Sequence, residues 1–399
     1  MNSIILSQKK HFNILSLNVR SLKNTKNFSK LEALLLSLAI KPSILGVSET
    51  WVTPNGSGSY NNLDSYQFIS NHRINRIGGG VGIYITKGTE FTFNTELSVM
   101  NEGFIESLFI EITINNKRTY VGVIYRAGTD KETEVKVSHA IFLQKMREIL
   151  QKSTRFGRQC IIMGDFNYDM LDLTNKYVND YKDLMFEYSF YSLINRPTRI
   201  TTSSATCLDH IWTNIYQNDY KSLILCDLIA DHLPTMVVSS WGKPKVAKYE
   251  DHKRLNDKEL LILGQKLENC NYEGVENQNI NIYLENLMKK IDDCTTEITS
   301  SRVRKHQSKK VNSKWYDNEL RKMKRKKEHL YRSFLANRDT RSKSAYDHQN
   351  QSYEKKLLEK KNIFLTSFFE KYKSNIKATW SMINRLLGKS KSQVCQSLK

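Results

Sequence analysis

The stretch Gln159–Asn167, with the sequence Gln-Cys-Ile-Ile-Met-Gly-Asp-Phe-Asn, decides the fold. Its apolar run is uninterrupted up to Met163, which is typical of a strand buried on both faces. Asp165 and Asn167 follow directly, where the strand ends. Polar groups that follow a buried strand are held on a rigid scaffold. The stretch therefore predicts a central strand that carries reactive side chains at its end.

Similar apolar runs lie on both sides of this strand, and helical patterns separate several of them. The predicted strands are Asn13–Asn18, Ser43–Val47, Gly80–Ile85, Phe104–Ile114, Thr119–Tyr125, Gln159–Met163, Leu208–Thr213 and Thr235–Ser239. The predicted helices are Asn27–Ala39, Lys136–Lys152 and Val178–Tyr188. Strands with interspersed helices favour a layered α+β or α/β sandwich.

Polar residues follow or begin several of these strands: Asn18, Glu49, Asp165, Asn167, Asp209, His210, Asp231 and His232. Each one alone is explained as readily by turn chemistry or by solvation. These residues form five sites along the chain: Asn18, Glu49, Asp165 with Asn167, Asp209 with His210, and Asp231 with His232. Five such sites in one domain favour a shared function. Paired carboxylates suit a hard divalent cation. A histidine held by a carboxylate suits proton transfer or charge stabilisation near neutral pH.

Charge divides the chain unevenly. Residues 301–399 contain 27 Lys and Arg against 8 Asp and Glu, whereas the first 300 residues contain 34 against 33. We expect a domain over 10–240, a linker with short helices over 241–300 and a basic helical region over 301–399. Its predicted helices are Lys314–Asn337, Arg341–Lys373 and Ala378–Leu387. Such a segment points to a polyanion, with nucleic acid as the leading candidate, although a solvated lysine-rich face is the alternative.

Other features restrict the class of protein. No run of eighteen apolar residues is present, so the sequence predicts no membrane-spanning helix and no membrane partner. The first residues lack the apolar core and the cleavage site of a signal peptide. The six cysteines show neither CxxC nor CxxH spacing, which supports neither a zinc finger nor a disulfide framework.

The ordered motifs resemble the endonuclease/exonuclease/phosphatase superfamily, in the apurinic-type form found in non-LTR (LINE-type) retrotransposon polyproteins. The matching motifs are Leu17–Leu22, Ser48–Trp51, Gly78–Tyr84, Val123–Arg126, Gly164–Asn167, Leu208–Ile211 and Ala230–His232. The resemblance implies a four-layer α/β sandwich, in which helices flank two packed mixed β-sheets, followed by a basic, mainly helical C-terminal region.

The resemblance also implies one divalent metal, Mg²⁺ or alternatively Mn²⁺. Glu49 is then the principal metal ligand, with Asn18 and Asp231 in the metal shell. Asp165 positions or deprotonates the attacking water, and Asn167 holds the scissile phosphate and orients Asp165.

A pair formed by one aspartate and one histidine completes the implied site. Asp231 buttresses His232, which stabilises charge on a phosphate oxygen, and Asp209 supports this pair or the leaving group. Tyr125 contacts the phosphate. A threonine that the family uses on phosphate corresponds to Thr198 or Thr201. One departure is Arg126-Ala127-Gly128, where relatives often carry prolines.

The C-terminal quarter resembles the linker before the reverse transcriptase of jockey- or CR1-type elements, and the polymerase motif itself does not occur. The resemblance implies a fragment of a longer polyprotein or a truncated copy, active in the nucleus at least transiently and made in the cytoplasm. DNA is the expected target, and element RNA is the expected partner of the basic region. The expected nucleic-acid contacts are Arg20, Lys322, Arg325, Lys326 and Lys327.

The expected function is hydrolysis of one DNA strand to leave a 3′-hydroxyl that primes reverse transcription. Two alternatives stay open at this point. One is a superfamily phosphatase that acts on small phosphoesters, such as an inositol phosphate or a lipid head group. The other is a nucleic-acid-binding protein whose nuclease site has decayed.

Overall fold

A computed structural model describes residues 11–53, 58–128, 132–216, 220–246, 257–269, 280–299 and 315–388. The strands are β1 (Phe12–Asn18), β2 (Ile44–Ser48), β3 (Tyr66–Asn71), β4 (Val81–Thr86), β5 (Phe91–Asn94), β6 (Met100–Asn101), β7 (Ile105–Ile114), β8 (Lys117–Tyr125), β9 (Gln159–Asp165), β10 (Tyr191–Ser192), β11 (Arg199–Ile200), β12 (Ala205–Thr206), β13 (Asp209–Thr213), β14 (Tyr220–Ile224) and β15 (Thr235–Ser239). The helices are α1 (Thr25–Ser37), α2 (Glu132–Thr154), α3 (Lys176–Glu187), α4 (Asp257–Glu268), α5 (Ile280–Thr299), α6 (Asn318–Asn337), α7 (Thr340–Lys371) and α8 (Ile376–Leu386).

Two mixed sheets pack face to face, which confirms the predicted sandwich. One sheet has the strand order β14-β15-β1-β2-β4-β3, and the other has the order β10-β13-β9-β8-β7-β5 with β6 paired to β7. The layer between them contains Ile14, Ile83, Val121 and Ile161, all buried. Successive side chains on a strand face opposite ways, so the next residues along the same strands cover the outer faces.

Helices cover both outer faces. Leu15 of β1 packs with Leu31 of α1 on one side of the molecule. Ile162 of β9 packs with Phe142 of α2 and Tyr181 of α3 on the other side. These contacts give the four layers, helix, sheet, sheet and helix, that the sequence predicted.

Strand direction brings the polar strand ends together. β1 and β2 are parallel and pair Asn18 with Ser48, so Asn18 and the following Glu49 leave the first sheet at one edge. β8 and β9 are also parallel and pair Tyr125 with Asp165. β13 runs antiparallel to β9 and starts opposite its end, which places Asp209 beside Asp165.

The strands that the sequence did not predict lie at sheet margins or in short hairpins. β14 is an edge strand with three exposed central residues, and β5 is an edge strand with no buried residue. Such strands lack the apolar periodicity that marks a buried one. The predicted helix starting at Lys314 begins later, at Asn318, because the Asp317 carboxylate caps it by accepting from the Leu320 amide at 3.1 Å. Lys314 itself lies outside the described residues.

The basic C-terminal helices are packed against the sandwich. The described residues of Met1–Ala247 and Val311–Lys399 form one compact unit, and those of Lys248–Lys310, including α4 and α5, form another. Ala33 of α1 is buried together with Trp315, Leu320 and Tyr353 of the C-terminal region. Residues 301–314 and 389–399 of the predicted basic region lie outside the described residues. No helix in the described part is long and apolar enough to span a bilayer.

Candidate active site

The backbone is strained at two of the predicted site residues. Glu49 and Asn167 have φ angles of 53° and 50°, in the left-handed region that side chains other than glycine rarely occupy. Strain of this kind persists only where surrounding contacts impose it, and it concentrates at active sites. Gly164 is required just before Asp165, because a Cβ there would lie 1.8 Å from the Ile124 carbonyl oxygen.

Asn18 joins the two sheets at the centre of the site. Its Nδ2 donates to Glu49 Oε1 at 2.7 Å and to Asp165 Oδ2 at 2.9 Å. Its Oδ1 accepts from the Arg20 amide at 3.0 Å, which fixes the orientation of the side-chain amide. One buried amide group therefore holds two carboxylates from opposite sheets next to each other.

His232 is paired with a carboxylate, but the partner differs from the expected one. His232 Nδ1 lies 2.8 Å from Asp209 Oδ2 and 4.0 Å from Asp165 Oδ2. Both the histidine and Asp209 are buried. The assignment of Asp231 as the buttress of His232 is thus wrong: Asp209 holds Nδ1 and leaves Nε2 as the free ring nitrogen.

Asp231 points towards two arginines at the rim. Its carboxylate is 3.1 Å from the Arg199 guanidinium and 3.8 Å from that of Arg20. Its side chain is 37% exposed, in contrast to the buried His232 that follows it. Arg20 is exposed as well, as a nucleic-acid contact must be, but it is engaged with this acidic group.

Electrostatics favour a charged histidine and a basic aspartate. Burial alone would lower the pKa of His232, but the carboxylates of Asp209 and Asp165 outweigh it and raise that pKa to about 10. Burial raises the pKa of Asp165, opposed by the His232 cation. A cationic His232 can donate a strong hydrogen bond to an anionic oxygen. An aspartate with a raised pKa is a better proton acceptor than an ordinary one.

The loop after β9 depends on Arg126, to which sequence analysis assigns no role. Asn167 Nδ2 donates to the Arg126 carbonyl at 2.7 Å, and the Asn167 amide donates to Asp165 Oδ1 at 3.1 Å. The Arg126 guanidinium lies 4.0 Å from the centre of the Tyr168 ring and donates to the Asn167 carbonyl at 3.3 Å. This buried arginine supports the Asn167 loop where relatives often carry a proline.

Tyr125 and Thr198, which lie beside these residues, have different roles. Burial raises the pKa of Tyr125, helped by the charges of Glu49 and Asp165, so its hydroxyl remains a donor. Thr198 is fully buried, and its Oγ1 accepts from the amides of Leu208 and Asp209 at 3.1 Å each. Thr198 therefore holds the Asp209 strand end and does not present its hydroxyl to a phosphate.

The donor set fits a hard divalent cation. Asp165, Asp209 and His232 place candidate ligand atoms within 4.8 Å of one another, and Asp209 Oδ1 is buried without a hydrogen-bond partner. His232 is a poor ligand in this group, because its Nδ1 is bonded to Asp209 and its cationic form repels a metal. The carboxylate of Glu49, beside Asp165, is the better ligand, and Asn18 can join it only if its side-chain amide turns, because Nδ2 now faces the carboxylates and Oδ1 accepts from the Arg20 amide.

The basic residues of α6 divide between its two faces. Lys322, Arg325 and Lys326 are exposed, which is compatible with the expected nucleic-acid contacts. Lys327 is wrong as such a contact: it is 1% exposed, and its ammonium group donates to Asp227 Oδ1 at 2.6 Å.

Residues 11–232 match the model of the Endonuclease/Exonuclease/phosphatase family. AP endonuclease LMAP from Leishmania major is similar in fold, with a TM-score of 0.50 and 16% identity over 58% of this chain and 88% of that one. The endonuclease domain of TRAS1, a telomere-specific non-LTR retrotransposon, gives 0.44 and 13% over 58% and 100%. The 3′ phosphatase NExo from Neisseria, bound to product DNA hairpin, gives 0.44 and 15% over 57% and 98%. No curated protein sequence matches the chain.

The His232–Asp209 pair predicts a titration that NMR can measure. In metal-free protein the His232 imidazole should remain protonated through neutral pH and titrate near 10, and Asp209→Asn should lower that pKa markedly. Because the folded pKa lies above the unfolded value of about 6.5, the pair contributes its full stability below about pH 6.5 and loses it as pH rises through the folded pKa. A His232 pKa near 6.5 in the wild type would contradict the pairing.

Proposed function

The chain belongs to the endonuclease/exonuclease/phosphatase family, and on that premise we propose that it is a metal-dependent phosphodiesterase that nicks one strand of duplex DNA. The observation that carries the proposal is the junction of Asn18, Glu49 and Asp165 beside the His232–Asp209 pair. The first group offers oxygen donors and a base, and the second offers a cation. Together they can bind and polarise a phosphodiester from two sides.

The side chains divide the work in the following way. Asp165 accepts a proton from the attacking water, and Asn167 orients both Asp165 and the phosphate. His232 donates through Nε2 to a non-bridging phosphate oxygen and stabilises the negative charge that accumulates in the transition state. Tyr125 donates its hydroxyl to the same phosphate, and Asp209 keeps His232 charged and fixed in orientation.

Mg²⁺, or alternatively Mn²⁺, is the proposed cofactor, held by Glu49 and by the Asn18 amide oxygen, which must first turn from the Arg20 amide towards the carboxylates. When bound it supplies Lewis-acid stabilisation of the phosphoryl and leaving oxygens. Asp231 stays in the proposal as an outer member of the metal shell. Its carboxylate must then turn from Arg20 and Arg199, with which it is paired in this structure.

Duplex DNA is the favoured substrate for two reasons. The motifs have the form found in retrotransposon endonucleases, and exposed cations lie on α6 at Lys322, Arg325 and Lys326. A 3′-hydroxyl left by the nick would prime reverse transcription of element RNA, which places the proposed activity in the nucleus. A phosphatase that acts on small phosphoesters is the second candidate. Its substrate would need the same metal and histidine but none of the cations of α6.

Nicking of supercoiled plasmid tests the proposal. Wild-type protein should convert supercoiled plasmid to the open-circular form with Mg²⁺ and not with excess chelator. Asp165→Asn and His232→Ala should each slow nicking by roughly a hundredfold or more, since each removes an interaction of the transition state, while DNA affinity changes little.

A matched control is Asp169→Asn, two residues beyond the motif, which alters a carboxylate that binds the amides of Cys207 and Leu171 and no side chain of the site. It should nick at close to the wild-type rate if it folds. Wild-type activity on an inositol phosphate or a phospholipid head group, with none on plasmid, would favour the phosphatase alternative. Folded protein inactive on all of these substrates would support the decayed site.

The exposed cations of α6 predict a salt effect. Replacing Lys322, Arg325 and Lys326 together by Gln should weaken DNA binding and reduce the slope of log affinity against log salt by up to about 3, because each phosphate contact contributes about 0.9. Fluorescence anisotropy over a salt series measures this slope. An unchanged slope would mean that this face of α6 does not bind DNA.

A further inference from the structure

The loop between β14 and β15, residues 225–234, carries His232 and is held by few bonds of its own. The Leu225 amide donates to the Pro234 carbonyl at 2.9 Å, and the Leu233 amide donates to the Thr198 carbonyl at 2.7 Å. Between these ends most of the loop's support comes from other elements. The helices α6 and α7, which form an antiparallel hairpin around residues 338–339, supply much of that support.

The first contact between the hairpin and the 225–234 loop is electrostatic. Lys324 and Lys327 of α6 each place the ammonium nitrogen 2.6 Å from an oxygen of Asp227, five residues before His232. All three side chains are buried. Burial alone would raise the pKa of Asp227, but the two lysines lower it to about 2. Breaking one member of a buried ionic group leaves charge without full compensation, which is strongly destabilising.

The second tie is apolar and adjoins the histidine directly. Leu233, the next residue after His232, is 2% exposed and is buried in a cluster with Tyr331, Phe334 and Tyr346 of the hairpin. The lining of one cavity includes Ala230 and Asp231 of the loop and the same three aromatic residues. The hairpin thus contacts the loop on both sides of His232 along the chain.

The third tie passes through α1. Lys30 donates to the Ile229 carbonyl at 3.1 Å and forms an ion pair with Glu354 of α7. The loop is therefore fixed at positions 227, 229 and 233 by a network that includes the hairpin. A displacement of about 1 Å in a reacting group can cost about a hundredfold in rate, so such fixation matters for His232.

We propose that the α6–α7 hairpin is a positioning element of the active site, which sets the place of His232 through Asp227 and Leu233. Its role in catalysis rests on the proposed function. The cations of α6 then have two roles: Lys324 and Lys327 hold the loop that carries His232, and the exposed Lys322, Arg325 and Lys326 are available to nucleic acid. Loss or displacement of the hairpin would switch off the nuclease while the sandwich remains folded.

The test compares two loop-facing variants with a control elsewhere on the hairpin. Lys327→Met removes the buried ammonium group, and Phe334→Leu loosens the packing on Leu233. Lys361→Met is the control: Lys361 lies on α7 and contacts Glu32 and Ser29 of α1, not the 225–234 loop. All three remove a contact between hairpin and sandwich, but only the first two act on the loop.

We expect the two loop-facing variants to lower the nicking rate at saturating DNA about tenfold or more, with a change of less than about threefold in KM. Lys361→Met should lower the melting temperature without this loss of rate. Hydrogen exchange of the amides in 225–234 should quicken in Lys327→Met and Phe334→Leu and stay unchanged in Lys361→Met.

Two results would overturn the proposal. One is a wild-type rate at saturation in both loop-facing variants, and the other is unchanged exchange of the loop amides. If Phe334→Leu and Lys327→Met unfold at the assay temperature, Phe334→Met provides a milder change with the same readouts, because it keeps the buried side chain apolar and close to its original volume. Wild-type protein that nicks no DNA, but whose loop exchange still responds to Lys327→Met, would remove the proposed function and leave the hold of the hairpin on the loop intact.

Discussion

The amide of Asn18 is the interaction on which the rest of the site depends. Its Nδ2 is shared between Glu49 and Asp165, which come from different sheets, so the two halves of the sandwich meet chemically at one nitrogen. Two carboxylates this close repel each other unless a donor or a cation lies between them. The parallel pairings of β1 with β2 and of β8 with β9 bring these residues to the same edge, and the strained backbone at Glu49 keeps its carboxylate there.

In the second half of the site, a cationic histidine lies beside two carboxylates. Asp209 lies across from Asp165 in the register of β13 and β9, and His232 reaches both carboxylates from the other sheet. The two carboxylates favour the protonated histidine strongly enough to outweigh burial, which opposes it, and so the pKa of His232 is raised. The same pairing leaves Nε2 available for a substrate oxygen. The proposed roles of Asp165 as a base and of His232 as a cation therefore follow from one set of contacts.

Most of the fold could be predicted from the sequence, because its buried strands are long apolar runs. Asn18, Glu49, Asp165 and His232 could be identified as candidate site residues, because they adjoin such runs. The prediction from sequence was wrong where the direction of a side chain decides its partner. Asp231 and Asp209 are equally plausible partners for His232 in the chain, and only the direction of the side chains separates them. Lys327 was predicted to be an exposed cation, because its partner Asp227 is 100 residues away along the chain. Its helical spacing with Leu320, Tyr331 and Phe334 was the one local signal of burial.

We propose that the junction of the two sheets, formed by Asn18, Glu49 and Asp165, binds the divalent metal that serves phosphodiester cleavage. Electron paramagnetic resonance of Mn²⁺ titrated into the protein tests it most directly. We expect one bound Mn²⁺ per chain in the wild type, binding weakened at least tenfold in Glu49→Gln, and binding largely retained in Lys361→Met, which lies away from the site. Equal Mn²⁺ affinity in Glu49→Gln and the wild type would contradict it.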